Sequence, residues 1–281
     1  MEDFATKRLV EIGDATVCYR KTGSGPALVL LHGFPLSGLT WRNVVPPLAP
    51  RFTCYAFDLV GLGDSTSTEP ADFSSPGQAR LFQQALAAEG VTSYDLMGNN
   101  TGGWIARELA LLDRERVTHL ALTNTEIPGH RPPWIPLYQF LVRLPGSGLV
   151  MKRMLLSRRF RRSPMGFGGC FEDLDFIDGE FHEFFVPPLV SSPQHLDSMF
   201  QFLKEMRFSR IDQFAKLHSE LSMPVTFLWG DADPTFPEHR ARDMANQFPN
   251  VRDFRTLPNA KLFFYEEHPE AVANWLLEFL T

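Results

Sequence analysis

Residues 93–110 read SYDLMGNNTGGWIARELA. Tyr94, Leu96 and Met97 form a buried-strand run, Gly98 to Gly102 carry the spacing Gly-x-Asn-x-Gly, and the residues from Trp104 onward are apolar at helical period. The stretch is therefore a strand, a tight turn and a helix. Such a turn holds its central residue, Asn100, in a strained backbone conformation between small neighbours and lifts its side chain above the strand end. Ser, Cys or Asp displayed there can attack carbon, whereas a neutral amide is a very poor nucleophile. The chain thus has the scaffold for a nucleophile without an obvious nucleophile.

Outward from this stretch, strands and helices alternate. Residues 8–20 alternate apolar and polar around Gly13-Asp14, the pattern of an antiparallel hairpin. Residues 26–35, PALVLLHGFP, read as a central parallel strand buried on both faces. A helix is expected around Trp41 to Leu48, then a buried strand and a glycine-punctuated loop in FTCYAFDLVGLGDS, and an amphipathic helix over Gln78 to Glu89. VTHLALTNTE, residues 117–126, repeats the buried-strand pattern. These alternations imply right-handed crossovers in a mostly parallel α/β sheet with helices on both faces.

From Ile127 to Ser222 the pattern breaks. Helix-like segments near Leu137 to Leu144, Leu149 to Phe160, Gly179 to Phe185 and Gln194 to Arg207 are expected there, with no central strand. Strands resume with VTFLWGDADP and end near Val251 to Leu257, with helices near Glu238 to Gln247 and from Glu270 to Leu280. The division read from this is a core of residues 1–127 and 222–281 carrying a helical cap of residues 128–221. Arg158, Arg159, Arg161 and Arg162 in the cap are expected on a solvated helix face.

At 281 residues with 44% hydrophobic content the chain can bury a large core, as one domain with an insertion or as two domains. A formal charge of −6 with mixed signs gives no basic field, so nucleic acid is not an expected partner. Cys18, Cys54 and Cys170 lie far apart without metal-ligand spacing, which points to free thiols in a reducing compartment and to no metal. The N-terminal MEDFATKRLV has no secretory pattern and no run of ~18 apolar residues occurs, so a cytoplasmic protein with no membrane partner is expected.

The ordered set HGFP, DLVGLGDS, GNNTGG, a helical insertion, WGDADPTFP and PNAKLFFYEEHPEAVANWLLEFL resembles the α/β-hydrolase superfamily over almost the whole chain outside the cap. In appearance it is nearest the Asp-nucleophile branch of haloalkane dehalogenases and epoxide hydrolases. That resemblance implies a cofactor-free hydrolase whose nucleophile position is held here by Asn100, an oxyanion pocket formed by the Phe34 and Thr101 amides, and an orienting acid at Asp233 or at Glu126. It places the catalytic histidine at position 262, where this chain has Leu262, preceded by Lys261. His268 is expected on the surface, and His130, just after the sixth strand, and His239, shortly after Asp233, are the candidates for a relocated base. His32, Trp104, Trp134, Tyr138 and Leu262 complete the residues expected around the substrate.

Function does not follow from fold. The expected activity is hydrolase-like, on a small apolar ester, epoxide, lactone or haloalkane-type substrate, by a monomer or homodimer. The alternatives are an inactive member of the family that binds a ligand or partner, and an Asp-nucleophile hydrolase inactivated by an Asp-to-Asn replacement. With no histidine at 262, Asp233 is expected to turn toward backbone amides of its own loop or toward a cation, Lys261 or His239, because an unpaired buried carboxylate is costly.

Overall fold

A computed structural model describes residues 4–67 and 72–281. The first three residues of the N-terminal stretch read above lie outside that set. β1 (Lys7–Ile12) and β2 (Ala15–Gly23) form the expected hairpin, with Ile12 opposite Ala15 and Gly13 at φ 59° in the turn. A positive φ at that position suits glycine, which has no Cβ to clash.

β3 (Ala27–Leu31), β4 (Thr53–Phe57), β6 (Tyr94–Asn99), β7 (Val117–Thr123), β8 (Val225–Gly230) and β9 (Val251–Leu257) run parallel to one another in a sheet ordered β1-β2-β4-β3-β6-β7-β8-β9. β5 (Thr66–Ser67) adds two residues against β2, just past the segment read as a glycine-punctuated loop. The apolar runs of β3, β6 and β8 follow from burial on both faces. After β3 the chain builds the sheet first on one side and then, from β6, on the other. The carboxyl ends of β3 and β6 therefore meet at a reversal of strand order, where open α/β sheets form a crevice.

The helices of the sheet region are α1 (Val45–Leu48), preceded by a 3₁₀ turn at Gly38–Trp41, then α2 (Ser75–Ala88) and α3 (Thr101–Leu112). Between β7 and β8 lie α4 (Trp134–Leu141), α5 (Ser147–Leu156), α6 (Arg158–Arg161), α7 (Glu180–Leu189), α8 (Pro193–Glu205) and α9 (Phe208–Leu217), and after β8 come α10 (Glu238–Ala245), α11 (Phe264–Glu267) and α12 (Pro269–Leu280). Among the described residues the segment between β7 and β8 contains no strand.

Two expectations for that segment need correction. A helix over Phe208–Leu217 was not anticipated; it exists because Ile211 and Phe214 bury one stripe of an otherwise polar sequence. The arginines of α6 and its end form the expected solvated face only in part: Arg158 and Arg159 are exposed, whereas Arg162 is partly buried. Arg161 is buried and donates to the carbonyls of Leu155 and Leu156, and Arg158, Arg161 and Arg162 converge on the carboxylate of Asp178. These bonds hold Asp178 well below the usual carboxylate range against the opposing effect of its desolvation.

Candidate functional site

The turn after β6 is built by close packing. A Cβ on Gly98 would lie 2.4 Å from the carbonyl oxygen of Gly102, and one on Gly102 would lie 2.3 Å from the Leu31 oxygen and 2.4 Å from the His32 oxygen. Only glycine lets α3 descend onto the ends of β3 and β6. Asn100 sits between them at φ 50°, ψ −131°, and Thr125 Oγ1 and the Gly103 amide both hold its carbonyl. This is the strained conformation expected of the turn.

The side chain of Asn100 has one orientation. The Phe34 amide donates to Asn100 Oδ1 at 2.9 Å, and an N–H can be accepted only by the amide oxygen. The Thr101 hydroxyl lies 3.3 Å from the same oxygen. Asn100 Nδ2 has no hydrogen-bond acceptor among the described residues, so two N–H donors are left for whatever occupies the space above.

That space is a cavity of about 160 Å³ between the sheet and the helical segment. A dry, engineered cavity of about 150 Å³ holds a benzene molecule, so the space suits a small ligand. Asn100, Thr101, Phe34, Glu126, His130 and Leu262 all reach its wall, and Trp134 and Tyr138 face it from α4. The Tyr138 hydroxyl is taken by the Met165 carbonyl, and burial raises its pKa to about 12, so it stays protonated.

Three expected residues lie elsewhere. His32 is fully buried beneath the loop; its Nδ1 lies 2.9 Å from the Gly33 oxygen and its Nε2 accepts the Leu59 amide at 2.9 Å. Burial lowers its pKa to about 4, so it is neutral and pins the loop that presents Phe34. Trp104 is buried in α3 rather than on the cavity wall, because helical rotation turns it away from Asn100.

Asp233, the third, also stands off the cavity wall. Its Oδ1 accepts the Thr235 amide at 2.8 Å and its Oδ2 accepts Asn124 Nδ2 at 2.7 Å. The turn toward its own loop is as expected; a pairing with Lys261 or His239 is not observed. Lys261 Nζ points at the Gly168 carbonyl, 3.4 Å away. Burial still dominates and raises the Asp233 carboxyl to about 6. Asn124 was missed by sequence reasoning, although four consecutive polar residues, Thr123 to Glu126, follow an apolar strand and all four are buried.

Glu126 is 5% exposed. Thr101 Oγ1 lies 3.2 Å from its Oε1 and Thr125 Oγ1 3.0 Å from its Oε2. Burial raises its pKa, opposed by its own amide and by the charge of Arg107. His130 Nε2 lies 2.7 Å from the Thr235 oxygen, which can only accept, and burial lowers the His130 pKa. His268 is partly exposed beside Glu172, as expected of a surface residue. Cys170, Met165 and Phe167 add to the wall from a glycine-rich stretch, 163–170, that has no periodicity to reveal it.

The sequence pattern of the alpha/beta hydrolase fold matches residues 26–148. A haloalkane dehalogenase of Mesorhizobium japonicum is 33% identical over 288 residues, covering 96% of this chain and 90% of the relative. A fluoroacetate dehalogenase of Burkholderia sp. is 35% identical over 122 residues, a match that spans 42% of this chain and only 40% of that protein. The solved epoxide hydrolase CorEH, without ligand, superposes with a TM-score of 0.79 at 25% identity, covering 98% of both chains. Among the described residues no helix is long and apolar enough to cross a membrane. With the elbow, the parallel sheet and a relative matched nearly end to end, the chain belongs to the α/β-hydrolase family, and its homologues are hydrolases.

Proposed function

We propose that the chain is a hydrolase of small apolar esters, epoxides, lactones or haloalkane-type molecules whose reaction forms no covalent bond to residue 100. The observation that carries this is the bond from the Phe34 amide to Asn100 Oδ1. It spends an oxyanion-type donor on a neutral amide and turns Asn100 Nδ2 toward the cavity, where it can hold an oxygen or halogen of the substrate. Residues 128–221 act in this reading as a cap on a core of 1–127 and 222–281, and the cavity between them sets substrate size. The free thiols of Cys18, Cys54 and Cys170 support a reducing, cytoplasmic setting, and the reading takes the protein as a monomer or homodimer with no cofactor.

The test is turnover of small esters, lactones, epoxides and haloalkanes by the chain and by Asn100→Ala. Turnover that is lost in the variant supports the assigned role; turnover that the variant retains unchanged refutes it.

A second reading, a ligand-binding member without catalysis, is favoured by Leu262 on the cavity wall and by Asp233 closed on Asn124 and Thr235, with no imidazole–carboxylate hydrogen bond at the site among the described residues. It expects ligands to raise the melting temperature by binding the native state while no product forms. A third, an Asp-nucleophile hydrolase inactivated by replacement, expects Asn100→Asp to form a covalent adduct with an alkyl halide or epoxide, visible by mass spectrometry.

A further inference from the structure

We infer that Glu126 is the general base that activates water in the cavity, and that the substrates it serves carry an oxygen leaving group. This rests on the hydrolase reading above, in which Asn100 does not attack.

Glu126 is the carboxylate linked to Asn100 through both of its oxygens. Thr101 Oγ1 stands between Glu126 Oε1, at 3.2 Å, and Asn100 Oδ1, at 3.3 Å. Thr125 Oγ1 stands between Glu126 Oε2, at 3.0 Å, and the Asn100 carbonyl, at 2.8 Å. Each hydroxyl has a single proton to share between two acceptors, while a carboxylate has about four acceptor sites. Glu126 therefore keeps unfilled acceptor capacity on the wall where Asn100 Nδ2 is an unfilled donor. A water on Glu126 and a substrate oxygen on Asn100 Nδ2 would be neighbours.

The charge behind Glu126 is equally specific. Arg107, on α3, is fully buried, and its guanidinium donates to the carbonyls of Gly103 and Glu126, to Thr125 Oγ1, to His218 Nε2 and to Met244 Sδ. None of these partners is a carboxylate. The nearest counter-charge on the cavity side is Glu126, one hydroxyl away through Thr125. A buried cation placed so favours the ionised carboxylate against burial, which makes Arg107 a positioning residue for the base. His218 behind it passes its other nitrogen to Gln247 and is held neutral by burial. Glu108 on α3 is committed to Arg210 of α9. The other titratable groups on the cavity wall are His130, Tyr138 and Cys170. His130 is bonded to the Thr235 carbonyl and makes no hydrogen bond to Asn100, Thr101 or Glu126 among the described residues.

The step balances within the cavity. At an ester or lactone the water oxygen bonds to the carbonyl carbon as the C=O π pair moves onto the oxygen that Asn100 Nδ2 can hold and the water proton passes to Glu126; the π bond then re-forms as the leaving carbon–oxygen bond breaks, and the departing oxygen takes that proton back. At an epoxide the ring carbon–oxygen bond breaks as the bond from the water oxygen forms, and the ring oxygen takes up the proton that Glu126 received, so Glu126 ends ionised in both cases. A departing halide does not take that proton, which would stay on a buried carboxyl; haloalkanes are therefore the poorer substrates.

The experiment uses the full chain with p-nitrophenyl acetate, γ-butyrolactone, styrene oxide and 1-bromopropane. Expected are faster turnover of at least one oxygen-leaving substrate than of bromopropane, and a loss of about a hundredfold or more in kcat for Glu126→Gln, with the ligand-induced rise in melting temperature retained. In the unaltered chain, kcat falls as pH drops through an ionisation above the ordinary carboxylate value, and the first turnover in ¹⁸O-water puts label into the product. Unchanged kcat in Glu126→Gln overturns the base alone, as does abolition of turnover by His130→Gln with Glu126→Gln active. If Glu126→Gln does not fold, a flat profile from about pH 4 to 8 in the unaltered chain overturns the proposal. An unlabelled first product overturns it too. Absence of turnover of every probe by the unaltered chain removes the hydrolase reading and the base with it.

Discussion

Asp233→Asn tests whether the fold holds a proton on the Asp233 carboxyl. Burial raises the native pKa of Asp233 from 3.8 to about 6 even though Asn124 and the Thr235 amide bond to it. Between these values the native state holds a proton that the unfolded chain has released, so this group's contribution to stability is full below about pH 4 and is lost as pH rises through about 6. A shift of roughly two units corresponds to about 3 kcal/mol at most, at ~1.4 kcal/mol per unit. The amide introduced by the substitution cannot titrate, so the variant should lack this component. It should also be less stable at low pH by about 1–3 kcal/mol, because Asn124 is already oriented by accepting the Gly230 amide and its Nδ2 would meet a second amide NH₂. The assay is urea unfolding of both chains from pH 4 to pH 8, reading the difference in stability at each pH. That difference should shrink by about 2–3 kcal/mol across the window. A difference that is constant with pH would refute the reasoning, since it would mean that Asp233 titrates alike in both states.

Other substitutions probe the parts that hold the site. Gly102→Ala places a Cβ 2.3 Å and 2.4 Å from two backbone carbonyls that cannot rotate away; it should cost more than the ~1–3 kcal/mol of ordinary overpacking, measurable as a lost or much lowered thermal transition. Arg42→Met removes the guanidinium that grips the fully buried Glu266 through both oxygens and reaches Glu180 on α7; an unpaired buried carboxylate should destabilise by about 3–5 kcal/mol in urea unfolding, with α7 more open to proteolysis. A stability within ~0.5 kcal/mol of the parent would show that the pair is dispensable.

The sequence by itself determined the elbow, the alternation of strands and helices in the core and the break between Ile127 and Ser222, because these are local: a two-sided buried strand must be apolar throughout, and a turn that lets a helix descend onto a strand must have glycine at Gly98 and Gly102. Asn100 and Leu262 stand in the sequence at the positions where the resemblance expects a nucleophile and a histidine. α9 was not anticipated although Phe208, Ile211, Phe214 and Leu217 recur at helical spacing, and β5 was illegible because two residues carry no period. The partners of polar side chains were decided only by tertiary structure. Asn124 and Asp233 meet across 109 positions of chain, Phe34 and Asn100 across 66, and Arg161 turns inward only because Asp178 and two carbonyls lie beneath it. His32 left the expected site for the same reason, held by the Leu59 amide and the Gly33 carbonyl, whereas Trp104 left it by its place on the helix. A buried donor or acceptor must be satisfied by whatever the backbone brings within about 3 Å, and that neighbour is set by the packing of distant segments rather than by the residue's own surroundings in sequence.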